Sequence, residues 1–248
     1  MTLLQVGRAQ VTRSAPALVA VSHGTSSRDG QRAVAALVAA VASARPGLGV
    51  VGGFVDVQQP DVASTLEAID AERAAVVVPL LLSAGYHVHV DLARELDSHA
   101  AHPTALTRAL GPDDRLVEIL HRRLLESGLR PTDRVVLACA GSSDPRAVSD
   151  CHEMGARLAA RLGTPVRVGF ISAATPRLDD AVELERAASS GARVVVSTYL
   201  LAPGYFTDLA HATTADITTP PLLLADAEPP AGLVELVLDR YAAAVASA

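Results

Sequence analysis

The 248-residue sequence predicts an α/β protein of two tandem, flavodoxin-like lobes, each a doubly wound parallel sheet, produced by internal duplication. Three observations predict it. Apolar runs without alternation, such as "AAVVVPLLL" and "RVVLACAG", are the pattern of strands covered on both faces. Between them lie segments with the 3.6-residue spacing of Ala, Val and Leu, and strand–helix alternation makes a parallel sheet with crossover helices. The whole order then returns from Arg134 onward.

Taken in order, residues 1–16 contain no apolar segment of signal-peptide length and read as a flexible leader. "ALVAVSHG" is a strand running into polar residues, and Asp29 to Ala44 is its helix. "GVVGGFVDV" with "DVASTLEAIDAE", "AAVVVPLLL" with "HVDLARELDSHA", and "TALTRAL" with "DRLVEILHRRLLES" complete the first lobe, 17–128. The linker "GLRPT" leads to a second lobe, 133–248. There "RVVLACAG", "PVRVGFI", "ARVVVSTYLL" and "PLLLADA" are the strands, and "PRAVSDCHEMGARLAARL", "TPRLDDAVELERAAS" and a last segment the helices.

The repeat is visible at residue level. Ser22-His23-Gly24-Thr25 matches Cys139-Ala140-Gly141-Ser142 and Leu116-Val117-Glu118 matches Leu233-Val234-Glu235, both at an offset of 117 residues. Gly53-Phe54-Val55 matches Gly169-Phe170-Ile171 at 116, and Gly85-Tyr86 matches Gly204-Tyr205 at 119. Offsets this constant mark a duplicated unit. What differs between the copies is chemical: His23 faces Ala140, Asp56 faces Ser172 and His87 faces Phe206. The second lobe is a degenerate copy that keeps the scaffold without these groups.

In parallel α/β sheets ligands bind beyond the carboxyl ends of the strands. His23, Asp56 and His87 follow the first, second and third strands, which makes them the candidate catalytic and metal-binding residues. Two imidazoles and a carboxylate suit a borderline divalent metal, and neutral imidazole also accepts protons. Gly24 and Gly85 beside them let a planar ligand approach the backbone. Thr25 and Ser83 share their motifs, and Arg28 and Arg94 are cations near the site by position that equally suit a solvated helix face. His89 shares a side with His87 if its segment is extended and points away if helical. Asp91 reads as a helix cap or an orienter of imidazole, and Asp56 also suits a turn beside "QQP". His99, His102, His121, His152 and His211 read as structural, and Cys139 and Cys151 as small buried side chains.

Several classes are excluded. A net charge of −6 and the absence of Trp argue against nucleic acid as a partner. No apolar run reaches the length of a membrane span. Two cysteines cannot build a paired-cysteine metal framework, and a soluble protein of the reducing cytoplasm is expected. No phosphate-cradling glycine loop and no nucleophile elbow occurs. "SHGTSS" is a weak match to a phosphohistidine motif, with Ser22 where an Arg is needed.

"VSHGTSSRD", "GFVDVQQP" and "VVVPLLLSAGYHVHVDL" together resemble the sirohydrochlorin chelatases, the class II ferro- and cobaltochelatases, in their long two-lobed form. The resemblance covers nearly the whole chain. It implies ATP-independent insertion of Fe²⁺ or Co²⁺ into sirohydrochlorin, a reduced tetrapyrrole, in sirohaem or cobalamin biosynthesis. It assigns the metal-handling pair to His23 and His87 and puts Asp56 where the family often has Glu. The metal is then a substrate, with no cofactor tightly bound, and a monomer is expected because one chain already holds two lobes. A metal or tetrapyrrole carrier and, further off, a histidine-type phosphohydrolase are the alternatives.

Overall fold

The computed structural model describes residues 15–70, 72–83, 92, 96, 103–189 and 191–247. Two four-stranded parallel sheets organise it. β1 (Ala17–Ser22), β2 (Val50–Phe54), β3 (Ala75–Pro79) and β4 (Thr104–Leu106) lie in the order β2-β1-β3-β4. β5 (Arg134–Cys139), β6 (Val166–Phe170), β7 (Val194–Tyr199) and β8 (Ile217–Thr218) repeat it as β6-β5-β7-β8. Every residue of β1, β3 and β7 is buried, which is why these runs show no polar alternation. All carboxyl ends of a sheet fall on one edge.

The helices start where side chains satisfy free backbone N–H groups. Ser27 caps α1 (Arg28–Ala44), Asp61 caps α2 (Val62–Glu67), Asp113 caps α3 (Asp114–Glu126) and Asp144 caps α4 (Pro145–Leu162). α1 buries Ala33, Leu37 and Val41, four residues apart and thus on one face. α4 opens with Pro145 at its first turn and stops at Gly163, whose φ of 69° a larger residue would resist. α5 (Leu178–Ala188), α6 (Tyr205–His211) and α7 (Ala231–Ala246) complete the described helices.

"PLLLADA" departs from its expected form. The fourth strand of the second sheet is the preceding Ile217–Thr218, because Pro220 and Pro221 have no N–H to continue the ladder. Leu222 and Leu223 remain buried and donate from their backbone N–H groups to the carbonyls of Leu200 and Leu201.

The last helix of each half packs against the other half. α3 lies on β7 and α4, whereas α7 lies on β3 and α1. A single hydrophobic cluster therefore contains Leu18, Leu37 and Val78 of the first half together with Leu137, Met154 and Val195 of the second. Each exchanged helix carries a buried arginine at the repeat-related position, Arg123 on α3 and Arg240 on α7. Burying a guanidinium is costly unless its donors find partners. Arg123 donates through Nη2 to the Leu222 carbonyl at 3.1 Å. Arg240 donates to the carbonyls of Ala109 and Leu110 at 3.0 and 2.6 Å. Tyr241 on α7 adds a bond to the Pro16 carbonyl at 2.8 Å.

Candidate functional site

The turn after β1 and the turn after β2 interlock through the backbone. Val55 N donates to the Ser22 carbonyl at 2.9 Å, and Asp56 N to the His23 carbonyl at 3.0 Å. Gly24, at φ 93°, completes the fit: a Cβ there would stand 2.1 Å from the Asp56 carbonyl oxygen. The missing side chain thus makes room for the neighbouring turn, where the sequence had suggested room for a planar ligand. Thr25 is equally bound into the turn. Its N–H donates to Gln58 Oε1, its Oγ1 accepts from Ser27 N, and its carbonyl accepts from Gln31 Nε2.

The second half repeats the backbone interlock. Ile171 N donates to the Cys139 carbonyl and Ser172 N to the Ala140 carbonyl, each at 2.9 Å, and Gly141 has φ 91° with a hypothetical Cβ 1.8 Å from the Ser172 oxygen. Only the side chains differ. On the first copy stand an exposed His23 and an exposed Asp56. On the second, Ala140 packs with Phe206 against the apolar cluster of Ile171, Leu178 and Leu200.

Asp56 uses one carboxylate oxygen locally, Oδ1 accepting from Val57 N at 2.7 Å. The turn role the sequence allowed is therefore real, and among the described residues no donor bonds to Oδ2. Val57 itself has φ 64° and is 58% exposed. Arg28 is exposed at the first position of α1, and no carboxylate pairs with it among the described residues. Arg32, one turn on, is tied to Asp29 and Asp226.

The second half closes on this turn. Gly30 faces the Pro203 carbonyl so closely that a Cβ would stand 2.3 Å from it, and a Cβ on Gly204 would lie 3.1 Å from Thr25 Oγ1. Tyr205 follows, 70% exposed. On the β3 side, Leu82 accepts a 2.8 Å hydrogen bond from the Tyr199 hydroxyl, and Ser83 follows it in the chain. Cys139 and Cys151 lie in one buried cluster; burial pushes the Cys139 thiol and the Tyr199 phenol well above their usual ranges, so both stay protonated.

His87, Gly85, His89, Asp91 and Arg94 lie outside the described residues, as does the leader through residue 14. Among the described residues no group of three or more His, Cys, Asp or Glu side chains is gathered for a metal. The structure brings together His23, Gly24, Thr25, Asp56 and Arg28, and sets Ser83 at the lobe contact. His121 sits 4.0 Å from Glu118, and His152 stands edge-on to Phe170 with centroids 5.7 Å apart, both packing arrangements. Sequence reasoning passed over Val57 and Tyr205. For Tyr205 the signal was available, since the repeat aligns it with Tyr86.

The fold sets the class: a bilobal, doubly wound α/β protein with imidazole and carboxylate at the strand edge of one lobe. A profile of the CbiX family matches residues 17–127 and 134–228. The chain belongs to the CbiX family. The sirohydrochlorin cobaltochelatase of Sulfurisphaera tokodaii is 31% identical to it over 84 residues, 33% of this chain and 69% of that protein. SirB from Bacillus subtilis, solved with Fe³⁺, superposes with a TM-score of 0.74 at 20% identity, covering 94% of this chain and 96% of that one. SirB from B. subtilis subspecies spizizenii in complex with cobalt gives 0.71 at 19%, with the same coverage. CbiX, the terminal enzyme for biosynthesis of siroheme in denitrifying bacteria, gives 0.64 at 20%, covering 90% and 98%. At these identities the structural likeness is one of fold.

Proposed function

We propose that this protein is a sirohydrochlorin chelatase, inserting Fe²⁺ or Co²⁺ into the reduced tetrapyrrole without ATP. The observation that carries the reading is the asymmetry of a duplicated turn: one copy presents His23 and Asp56 and the other Ala140 and Ser172, in a chain whose two halves both match CbiX. SirB, of the same fold, has been solved with Fe³⁺ and with cobalt.

Insertion requires loss of metal-bound water, removal of two pyrrole N–H protons and a macrocycle held over the ion. His23 and His87 supply neutral nitrogens that take the metal from solvent and accept the released protons. Asp56, through Oδ2, offsets the charge of the arriving cation. Arg28, which pairs with no carboxylate among the described residues, meets the acidic edge of the substrate, with Thr25, Ser83, Gly24 and Gly85 around the slot. Metal enters as a substrate, with no cofactor tightly held. The working unit is a cytoplasmic monomer, a reading supported by the one-chain joining of two lobes and by a sequence with only two cysteines. No described helix is long and apolar enough to cross a membrane.

The test is anaerobic incubation with sirohydrochlorin and Fe²⁺ or Co²⁺, followed by absorbance. Many turnovers per protein are expected, with His23→Ala and His87→Ala each losing about 10²-fold or more. A yield that stops at one metallated macrocycle per protein would make it a carrier.

A further inference from the structure

Two apolar side chains stand in water at the edge that carries His23, and packing explains neither. Tyr205 is 70% exposed, whereas every other described aromatic is buried or half-buried. It belongs to a chain with only seven Tyr and Phe residues and no Trp. A large ring left in solvent gives up the burial that aromatics ordinarily provide.

Val57 is the sharper anomaly. Its φ of 64° lies in the left-handed region, where a β-branched residue is an outlier. At 58% exposed, its isopropyl group recovers little of that strain by burial. The duplicate turn holds the same backbone at Ala173, φ 53°. The turn thus requires this conformation in both halves, yet only the half with His23 fills it with a branched, outward-facing side chain. Strain retained without packing benefit points to a task outside the protein's own interior.

The two residues flank one turn from opposite lobes. Val57 lies between Asp56, bonded to the His23 carbonyl, and Gln58, whose side chain accepts from Thr25 N. Tyr205 follows Gly204, which abuts Thr25 Oγ1. An apolar surface on each side of an imidazole suits a flat conjugated ring, whose faces are apolar even when its edge is acidic.

We propose that Val57 and Tyr205 are substrate-contacting residues that hold a planar macrocycle over the His23 turn, one from each lobe. This rests on the chelatase reading above. Stacking on Tyr205 supplies most of the grip, and the Val57 methyl groups fix the ring's position against it.

The test uses the intact protein and the variants Tyr205→Ala, Tyr205→Phe, Val57→Ala and Val57→Ile. Binding is titrated without metal, using metal-free uroporphyrin as a stable flat octacarboxylate, and cobalt insertion into sirohydrochlorin is followed anaerobically. Tyr205→Ala is expected to raise Kd and KM about tenfold and Val57→Ala roughly fourfold, with kcat held within about twofold by uniform loss of binding. Tyr205→Phe and Val57→Ile should bind like the parent, and all four should melt at or above the parent's temperature. Parental Kd in both alanine variants would overturn the proposal, as would failure of Tyr205→Phe to restore binding. A parent protein that turns over while the alanine variants match it sinks this inference alone. A parent that neither binds the macrocycle nor metallates it sinks the chelatase reading as well.

Discussion

Alanine placed at the two duplicated glycines separates scaffold from chemistry. Gly24 and Gly141 have φ of 93° and 91°, and an added Cβ would stand 2.1 Å and 1.8 Å from a carbonyl oxygen of the neighbouring turn. Holding a Cβ in the left-handed region costs roughly 1–2 kcal/mol. Relieving the overlap adds about 1–3 kcal/mol, the usual cost of overpacking. Each variant should therefore lose about 2–5 kcal/mol, or roughly 4–20 °C in Tm at ~2–4 °C per kcal/mol for a chain of this size. The stability losses should match. Activity should not, because the turn displaced by Gly24→Ala carries His23 and Asp56, whereas that displaced by Gly141→Ala carries Ala140 and Ser172. A shift of about 1 Å in a reacting group can cost on the order of 10²-fold in rate. Melting curves and anaerobic insertion rates, measured well below both Tm values, should show Gly24→Ala losing that factor and Gly141→Ala staying within about threefold. Equal activity losses would refute the assignment of the chemistry to one lobe.

Deleting α7 should damage the half of the chain farthest from it in sequence: hydrogen exchange would rise first in β1, β3 and α1, and a uniform rise through β6 and α5 would contradict the exchanged packing. Asp133 gives an acid-limb test. Its carboxylate, with a side chain 1% exposed, accepts from Arg193 at 2.6 Å and from Arg130 N, which hold its pKa below the usual range. A depressed carboxylate stabilises above its unfolded value near 3.9 and loses that contribution as pH falls through the folded value. Asp133→Asn should therefore lower Tm at neutral pH and flatten its decline below about pH 4; parallel curves for both proteins would remove the pair from the acid response.

The sheets and the site edge were legible because burial on both faces writes itself as uninterrupted Val, Leu and Ala, and because the copies share glycines that the interlocked turns require. The exchange of α3 and α7 was not. An amphipathic helix such as "DRLVEILHRRLLE" has the same apolar stripe whichever sheet it covers, so periodicity carries no address. The paired Arg123 and Arg240 were the available clue: a cation at the same repeat position, inside an apolar stripe, must reach carbonyls somewhere. The proximity of Cys139 and Cys151 depends on the seating of α4 on β5, and the left-handed backbone of Val57 runs against the preference of valine. Neither has a local signature. Asp56 was read as ligand or turn residue, and its two oxygens allow it to serve in the turn while leaving one for a ligand.

The exchanged helices bear on what the second half does for a histidine turn that lies in the first. A half-length chain of this design would leave one face of β3 bare and its own final helix without a sheet, a gap that trading helices with an identical copy would fill. Joining both halves in one chain makes that trade internal. The half without the histidine turn is thus indispensable to it, since the turn's sheet rests on a helix at the far end of the chain.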